Sequence, residues 1–187
     1  MIVVSFFTAE YRDHAPRLRS ECDRLGLRHR IEELPTTGSY LRNCCLKPGF
    51  ILDSLRAVRE PVLWVDVDSS ICAYPAFFSD SDPYDMQARR MRAPRKRAWH
   101  VSAMWWNYTP DALAYLERWA GNVGESEDEA AMEKTWREGL PLRTRDIPAP
   151  YFQIEHPEGA VILIRLSRTA AKRLESKIAA RYEQEVM

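Results

Sequence analysis

Glycine is scarce in this sequence, and its distribution excludes two common phosphate-binding loops. The chain has only seven glycines among 187 residues. No segment has the pattern G-x-G-x-x-G of dinucleotide-binding turns, and none has the P-loop pattern G-x-x-x-x-G-K. If this protein binds phosphate, we therefore expect side chains or a metal ion to hold it instead of a glycine-rich loop.

The sequence also lacks an excess of positive or negative charge, and it lacks long apolar segments. The 27 Lys and Arg residues balance the 27 Asp and Glu residues, which argues against a protein whose whole surface binds nucleic acid. No apolar run approaches the roughly 18 to 20 residues of a membrane helix, so no membrane span is expected. The opening run, MIVVSFF, has no basic leader and predicts a first strand, not a signal peptide.

The cysteines do not form a zinc-binding pattern. Cys22, Cys44, Cys45 and Cys72 show no C-x-x-C spacing and no accompanying pair of histidines. Reduced thiols in a cytoplasmic protein are therefore the expectation.

The first part of the chain alternates between strand-like apolar runs and helical periodicity. Its β-α-β-α-β order predicts a three-layer α/β/α fold with a mostly parallel central sheet. The length suits a single domain over residues 1–187. The strand candidates are residues 2–7, 28–34 and 61–65, and the helix candidates are residues 11–25 and 47–58.

The second part of the chain is less regular. Residues 79–97 are polar and broken by proline, so no strand or helix is predicted there. A final helix is expected to begin at Ser167, which can cap it. The other candidates are strands at residues 98–106 and 160–166 and helices at residues 110–120 and 127–138.

Two carboxylates follow the strand candidate at residues 61–65. Asp66 and Asp68 stand two positions apart, so in an extended chain both side chains point the same way at the carboxyl edge of the sheet. Open α/β sheets bind ligands at that edge. Two hard oxygen ligands there can hold Mn²⁺ or Mg²⁺, which in turn can neutralise a diphosphate. A solvated turn after a strand is the alternative explanation.

The segment around these carboxylates resembles a known family. The run N-x-x-x-K-P-x-F-I and the strand VLWVDVDSS are similar to GT-A glycosyltransferases of the small nucleotide-diphospho-sugar transferase type. Further similar segments lie at residues 102–110, 128–129 and 167–168. In the specific segment the matching residues are Asn43, Lys47, Pro48, Phe50, Ile51, Asp66, Asp68 and Pro75.

This resemblance implies a GT-A fold, a nucleoside-diphosphate sugar donor and a divalent cation. By position, Asp68 would ligate the metal, and Asp66 would contact the donor sugar or ribose as well as support the metal site. Lys47 would contact a phosphate, although a surface lysine at a helix start explains the same residue. Thr8 and Tyr11, after the first strand, would lie against the nucleotide base.

The expected histidine ligand of this family is missing near the last strand. Residues 161–168 contain no histidine, and His156 is the only histidine in the last third of the chain. His156 is therefore a candidate substitute metal ligand. A loop histidine before Pro157, with no role in metal binding, is the alternative.

A general base is needed if transfer inverts the anomeric centre, and Asp128 is the preferred candidate. The neighbouring Glu129 is assigned mainly to structure, because the sequence from Ser126 to Glu129 is a capping box.

Residues 89–97, RRMRAPRKR, contain six positive charges in nine positions. Arg95, Lys96 and Arg97, with the nearby Trp106, are candidates for contacts to donor phosphates or to an acceptor. Basic residues close to aromatic ones can also hold a nucleic acid strand, so a hydroxylated base in DNA is a possible acceptor. A solvated basic loop is the alternative.

The sequence thus favours a metal-dependent glycosyltransferase that uses a nucleotide sugar, with UDP as the favoured nucleotide, and a hydroxyl acceptor. A nucleotidyltransferase shares the sheet and the metal carboxylates, but its usual glycine-rich loop after the first strand is missing. A degenerate member of the family that binds nucleic acid through residues 89–97 is the non-enzymatic alternative. The sequence does not indicate an oligomeric state.

Overall fold

The computed structural model describes residues 1–78, 82–91, 98–124, 128–154 and 158–164. Within these ranges the chain forms an α/β fold with one large and one small sheet. The strands are β1 (Ile2–Phe7), β2 (His29–Glu33), β3 (Val62–Val65), β4 (Ser70–Ile71), β5 (Met86–Arg90), β6 (Trp99–Trp106), β7 (Thr144–Asp146), β8 (Gln153–Ile154) and β9 (Ile162–Ile164). The α-helices are α1 (Ala15–Arg24), α2 (Tyr40–Cys44), α3 (Lys47–Val58), α4 (Pro110–Asn122) and α5 (Asp128–Arg137).

The large sheet has six strands in the order β2-β1-β3-β6-β5-β7. β1 is parallel to β2 and β3, and β5 is parallel to β7. β6 is antiparallel to both of its neighbours, β3 and β5, so it is the one reversed strand of this sheet in the part of the chain described. The prediction of a mostly parallel central sheet is confirmed.

Helices cover both faces of this sheet, as the alternating pattern predicted. One face packs against α1 through Leu18 and Cys22, both fully buried. The other face packs against α3, α4 and α5, with Leu55 and Trp119 among its fully buried side chains. Burial of apolar surface on both faces of the sheet accounts for the continuous apolar runs of β1 and β3.

A small sheet lies directly after the carboxylate pair. Its order is β4-β9-β8, with β4 antiparallel and β8 parallel to β9. β4 begins at Ser70, two residues after Asp68. The segment that carries the carboxylates is therefore held between a strand of the large sheet and a strand of the small one.

The sequence prediction was wrong for part of residues 79–97, because β5 lies there. The sequence of β5, MQARR, has neither apolar alternation nor a continuous apolar run. The strand forms because β6 and β7 pair with it on both sides, which buries Met86, Gln87 and Ala88. The helix expected after Ser167 lies outside the described residues.

Trp106 is a core residue, which corrects its assignment as an acceptor contact. Its side chain is 0% exposed at the end of β6. The ring centroid lies 5.8 Å from that of Tyr115 and 6.4 Å from that of Trp119, both on α4. Strand periodicity turns this indole towards the helices, so it presents no surface to a substrate.

Among the helices described, none combines the length and the apolarity needed to cross a bilayer.

The packing of α3 gives a first prediction. Leu55→Ala removes a fully buried side chain from the core and should lower the free energy of unfolding by about 3 kcal/mol. Leu41→Ala changes a leucine that is 40% exposed and should cost less than about 1 kcal/mol. Urea unfolding of both variants measures the difference. Equal costs for the two variants would contradict the position of α3 in the core.

Candidate functional site

The candidate site lies at the carboxyl edge of the large sheet. Thr8 follows β1 and Asp66 follows β3, and because these strands are parallel neighbours their ends meet at the same edge. β6 runs in the opposite direction, so its first residues lie at this edge too. The Asp66 backbone N–H donates to the carbonyl of Ser102 on β6 at 2.9 Å.

Lys47 joins three separate segments at this edge. Its ammonium lies 3.1 Å from Asp66 Oδ1 and 2.7 Å from Asp128 Oδ2. Lys47 is the first residue of α3, and Asp128 is the first residue of α5. Nζ also donates to the Val101 carbonyl on β6 at 3.3 Å. The structure thus brings together three residues that the sequence singled out separately.

The ion pairs of Lys47 are largely buried, and its residue is only 5% exposed. Burial alone would lower the pKa of Lys47, but the charges of Asp128 and Asp66 outweigh it and raise that pKa. The lysine therefore stays charged at all physiological pH values. Its ammonium also lies 5.5 Å from the centre of the Trp64 ring, on the same face of β3 as Asp66.

One carboxylate oxygen of Asp66, Oδ1, contacts two protein groups. Besides Lys47, its Oδ1 accepts a hydrogen bond from Trp64 Nε1 at 3.0 Å. Burial raises the pKa of Asp66, and the Lys47 charge partly opposes that shift. This carboxylate is therefore fixed in position by the protein, which suits a residue that orients a ligand.

Asp68 is in a different electrostatic position from Asp66. Burial, and next the charge of Asp66, raises the pKa of Asp68 to about 6. Among the described residues, the site holds the three carboxylates of residues 66, 68 and 128 near two positive charges, those of Lys47 and Arg17. This surplus of negative charge in a partly buried place would be relieved by a divalent cation.

The described residues fit a cation that is shared with a phosphorylated ligand. Among them, no cluster of three or more His, Cys, Asp or Glu side chains is arranged to hold a metal. Mg²⁺ typically takes one or two carboxylates and completes its shell with water and substrate phosphates. Asp68 with Asp66 meets that requirement. His156, the candidate further ligand, lies outside the described residues.

Tyr11 interacts electrostatically with both carboxylates, Asp68 and Asp66. Thr8 is 3% exposed, and its carbonyl accepts the Tyr11 N–H at 2.8 Å in the 3-10 helix Ala9–His14. Burial, and next the charge of Asp68, raises the pKa of the Tyr11 hydroxyl. Tyr40 on α2 is 57% exposed and interacts electrostatically with Tyr11, and no sequence pattern pointed to it.

Three charged residues on α1 contact the segment after Asp66, and sequence reasoning missed all three. Arg17 Nη2 donates to the carbonyls of Asp68 at 3.0 Å and Val67 at 3.4 Å. Glu21 accepts the Ile71 N–H at 2.8 Å. Arg24 Nη2 donates to the carbonyls of residues 71 and 72, at 3.4 and 3.3 Å. Their spacing of four and three positions, which places them on one helix face, was the available signal.

Other predicted residues are not in the described part of the site. Arg95, Lys96 and Arg97 lie outside the described residues. Asn43, a residue of the family-like segment, holds the loop before α2, since its side chain accepts the Thr37 N–H at 2.8 Å and donates to Thr36 Oγ1 at 3.2 Å.

Solved glycosyltransferases have a similar fold. A glycosyltransferase involved in glycosylation of the major capsid of PBCV-1 matches with a TM-score of 0.70 and 15% identity, over 94% of this chain and 98% of that one. WbbM, a bifunctional glycosyltransferase, matches with a TM-score of 0.60 and 10% identity, over 87% and 45%. GlyE of Streptococcus pneumoniae TIGR4 matches with a TM-score of 0.57 and 13% identity, over 89% and 55%.

This chain therefore has a GT-A-like glycosyltransferase fold. It spans nearly the whole PBCV-1 protein but only about half of GlyE and of WbbM. No protein-family model matches the sequence, and no curated protein matches it. The fold is thus shown by structure, at identities too low to show the activity.

The buried carboxylates give a prediction with a defined sign. The pKa of Asp68 in the folded protein is about 6, above the ordinary value of 3.8, so the native state holds this proton more tightly than the unfolded state. The ionised carboxyl then destabilises the fold, and the cost develops as pH rises from about 4 to 6. Asp68→Asn should raise the free energy of unfolding by about 2 kcal/mol at pH 7.5, and by nothing at pH 4.

Asp85, at the opposite edge of the sheet, supplies a control of opposite sign. Burial alone would raise the pKa of Asp85, but hydrogen bonds from Arg143 at 2.8, 2.9 and 3.1 Å and from Thr109 at 2.8 Å lower it. Asp85→Asn should therefore destabilise the protein at neutral pH, and this loss should shrink below about pH 4. Urea unfolding of both variants across this pH range measures the two trends, and the same trend in both would contradict the assignment.

Proposed function

We propose that this protein is a metal-dependent glycosyltransferase that moves a sugar from a nucleotide donor, with UDP as the nucleotide, to a hydroxyl acceptor. The observation that carries the proposal is the group of Lys47, Asp66, Asp68 and Asp128 at the carboxyl edge of a GT-A-like sheet. A pair of carboxylates with surplus negative charge at this edge is suited to a cation and a diphosphate. The scarcity of glycine agrees with this mode of phosphate binding.

Each residue of the group has a proposed task. Asp68 and Asp66 would hold Mn²⁺ or Mg²⁺, and Asp66 would also orient the donor sugar or ribose. The bound cation supplies positive charge that neutralises the diphosphate and stabilises its departure. Lys47 fixes Asp66 and Asp128 relative to each other and adds a positive charge beside the phosphates. Thr8 and Tyr11 would contact the nucleotide base.

Asp128 is the proposed general base of an inverting transfer. Its Oδ1 accepts the Glu129 N–H at 2.9 Å, which fixes the carboxylate at the start of α5. Its Oδ2 faces Lys47 at 2.7 Å, so that ammonium balances the charge of the carboxylate before it takes up a proton. The proposed setting is the reducing cytoplasm, in agreement with four cysteines that form no disulfide bond with one another.

Donor hydrolysis tests the proposed reaction without knowledge of the acceptor. We expect the protein with Mn²⁺ to release the nucleotide from at least one member of a panel of nucleotide sugars. Asp68→Asn should reduce this release to background, because it removes the main proposed metal ligand. Release of UDP is measured by a coupled assay or by chromatography.

Two further variants sharpen this test. Asp53→Asn changes an exposed carboxylate on α3 and should keep full activity. Asp128→Asn should slow release at least a hundredfold, the lower range of general base catalysis, while Mn²⁺-dependent binding of UDP persists. A wild-type protein that neither binds nor cleaves any donor would refute the transferase proposal, and full activity of Asp68→Asn would remove the carboxylate pair from the mechanism.

A nucleic acid acceptor is proposed with a hydroxylated base as the sugar-accepting group. The basic run at residues 89–97 supports it, and its first part is described: Arg90 lies 5.6 Å from the centre of the Trp99 ring. An electrostatic contact to DNA should be strongly salt-dependent.

Replacement of Arg95, Lys96 and Arg97 by alanine tests this acceptor. If these residues contact phosphates, the triple variant should bind DNA more weakly. The slope of its logarithmic binding constant against logarithmic salt concentration should also be shallower, by the amount that about three phosphate contacts contribute. Fluorescence anisotropy with labelled DNA at several salt concentrations measures both quantities. Unchanged binding and slope would exclude this segment as the DNA contact, while donor hydrolysis in the same variant reports whether the transferase site is intact.

A further inference from the structure

One face of α1 contacts the segment that follows Asp66, mainly through its backbone. Arg17 donates to the carbonyls of Val67 and Asp68 and also to the hydroxyl of Ser70. Glu21, one turn further along, accepts the Ile71 N–H at 2.8 Å and lies 3.7 Å from Arg17 in an ion pair. A single arginine therefore contacts three residues, 67, 68 and 70, of the turn that carries the carboxylate.

These contacts hold the backbone from which the Asp68 side chain projects. The hydrogen bond from Arg17 to the Asp68 carbonyl orients the peptide group that follows Asp68. The bond from the Ile71 N–H to Glu21 positions the end of the same turn. The Ser69 N–H closes the turn from inside, since it donates to the Asp66 carbonyl at 2.9 Å. A turn held at both ends and in the middle fixes the Cα–Cβ direction of Asp68 and so limits the positions its carboxylate can reach.

The contacts also cost the protein little to maintain. The helix that carries them is anchored in the core by Leu18 and Cys22, both 0% exposed, on the turns between the charged residues. Arg17 and Glu21 are partly buried, with side chains 27% and 18% exposed, so solvent competes weakly for their bonds. Arg17 and Glu21 thus contact the turn from a helix that is packed in the core, and not from a loop.

We propose that Arg17, supported by Glu21, is a positioning residue for the metal-binding carboxylate of Asp68. Arg17 touches neither substrate nor cation in this role, and it acts through the backbone of residues 67–70. The inference rests on the proposed metal-binding function of Asp68. Groups that orient metal ligands typically contribute 10-fold to 100-fold in metal affinity.

Two measurements on the full chain test this role. Titration of Mn²⁺ in the presence of UDP, followed by electron paramagnetic resonance, should show an affinity about 10-fold to 100-fold lower in Arg17→Ala than in wild type. Amide hydrogen exchange without metal should be faster in residues 68–71 of the same variant. If donor hydrolysis occurs, the Mn²⁺ concentration for half-maximal rate should rise while the rate at saturating Mn²⁺ stays within about twofold.

Arg19→Ala is the matched control. Arg19 is on the same helix and also donates to a backbone carbonyl, that of Ile31 at 2.6 Å, but its contact is on β2. This variant should keep wild-type Mn²⁺ affinity. Arg17→Lys keeps the positive charge and the helix packing but cannot reach all three acceptors, so it should remain folded with an affinity several-fold below wild type. Glu21→Gln, which keeps an acceptor for Ile71, should lose less affinity than Glu21→Ala.

The outcomes separate the two proposals. Wild-type protein that binds no Mn²⁺ in the presence of UDP would overturn the proposed function and, with it, the role of Arg17. Mn²⁺ binding by wild type with unchanged affinity in folded Arg17→Ala and Arg17→Lys would overturn the positioning role alone. An equal loss in Arg19→Ala would assign the effect to packing of α1, and would also overturn it.

Discussion

The candidate site depends on one buried ammonium, that of Lys47. Moving a charged lysine out of water costs several kcal/mol, and only close counter-charges offset that cost. Here Asp66 and Asp128 lie at 3.1 and 2.7 Å, on strands and helices that are far apart in sequence. Since removal of Lys47 would leave two largely buried carboxylates without this shared counter-charge, the ammonium holds the ends of β3, α3 and α5 in one arrangement.

The arrangement leaves a surplus of negative charge beside the buried ion pairs. One ammonium compensates the carboxylates of residues 66 and 128, while burial and the charge of Asp66 outweigh the opposing charges of Lys47 and Arg17 at Asp68. Arg17 also donates one hydrogen bond to the backbone carbonyl of Asp68. In the proposed function this bond helps to position a carboxylate that would hold a cation. The cost is stability, as is usual for groups prepared for binding.

The sequence predicted the fold better than the environment of the site. The strands of the parallel half and most helices follow from apolar runs and from helical periodicity, which are local properties. β5 could not be predicted, because a strand with the sequence MQARR forms only when two neighbours pair with it. Asp66 and Asp68 were found because their spacing is local. The partnership of Lys47 with Asp128 is 81 positions apart in sequence and comes only from packing of α3 and α5.

The burial of the aromatic residues is a second property that the sequence did not predict. Trp106 and Trp99 are close in sequence to a basic run, which suggested a binding surface, yet both are at most 4% exposed. Because both faces of the large sheet are covered, the neighbouring Trp105 and Trp106 are both buried although they point to opposite faces, and sequence alone did not show this. Tyr40, on a helix of five residues, is the aromatic side chain that the fold leaves 57% exposed beside the site.

The reversed direction of β6 explains why the two charged clusters of the sheet have different roles. Its first residues lie at the carboxyl ends of β1 and β3, where Val101 and Ser102 contact Lys47 and Asp66. Its last residues lie at the opposite edge, where Asp85 bonds Arg143 and Thr109. At that edge the carboxylate is fully satisfied by protein donors, and its lowered pKa reflects a structural ion pair. At the carboxyl edge the carboxylates of residues 66, 68 and 128 outnumber the positive charges of Lys47 and Arg17 among the described residues, and a divalent cation would supply the positive charge that balances them.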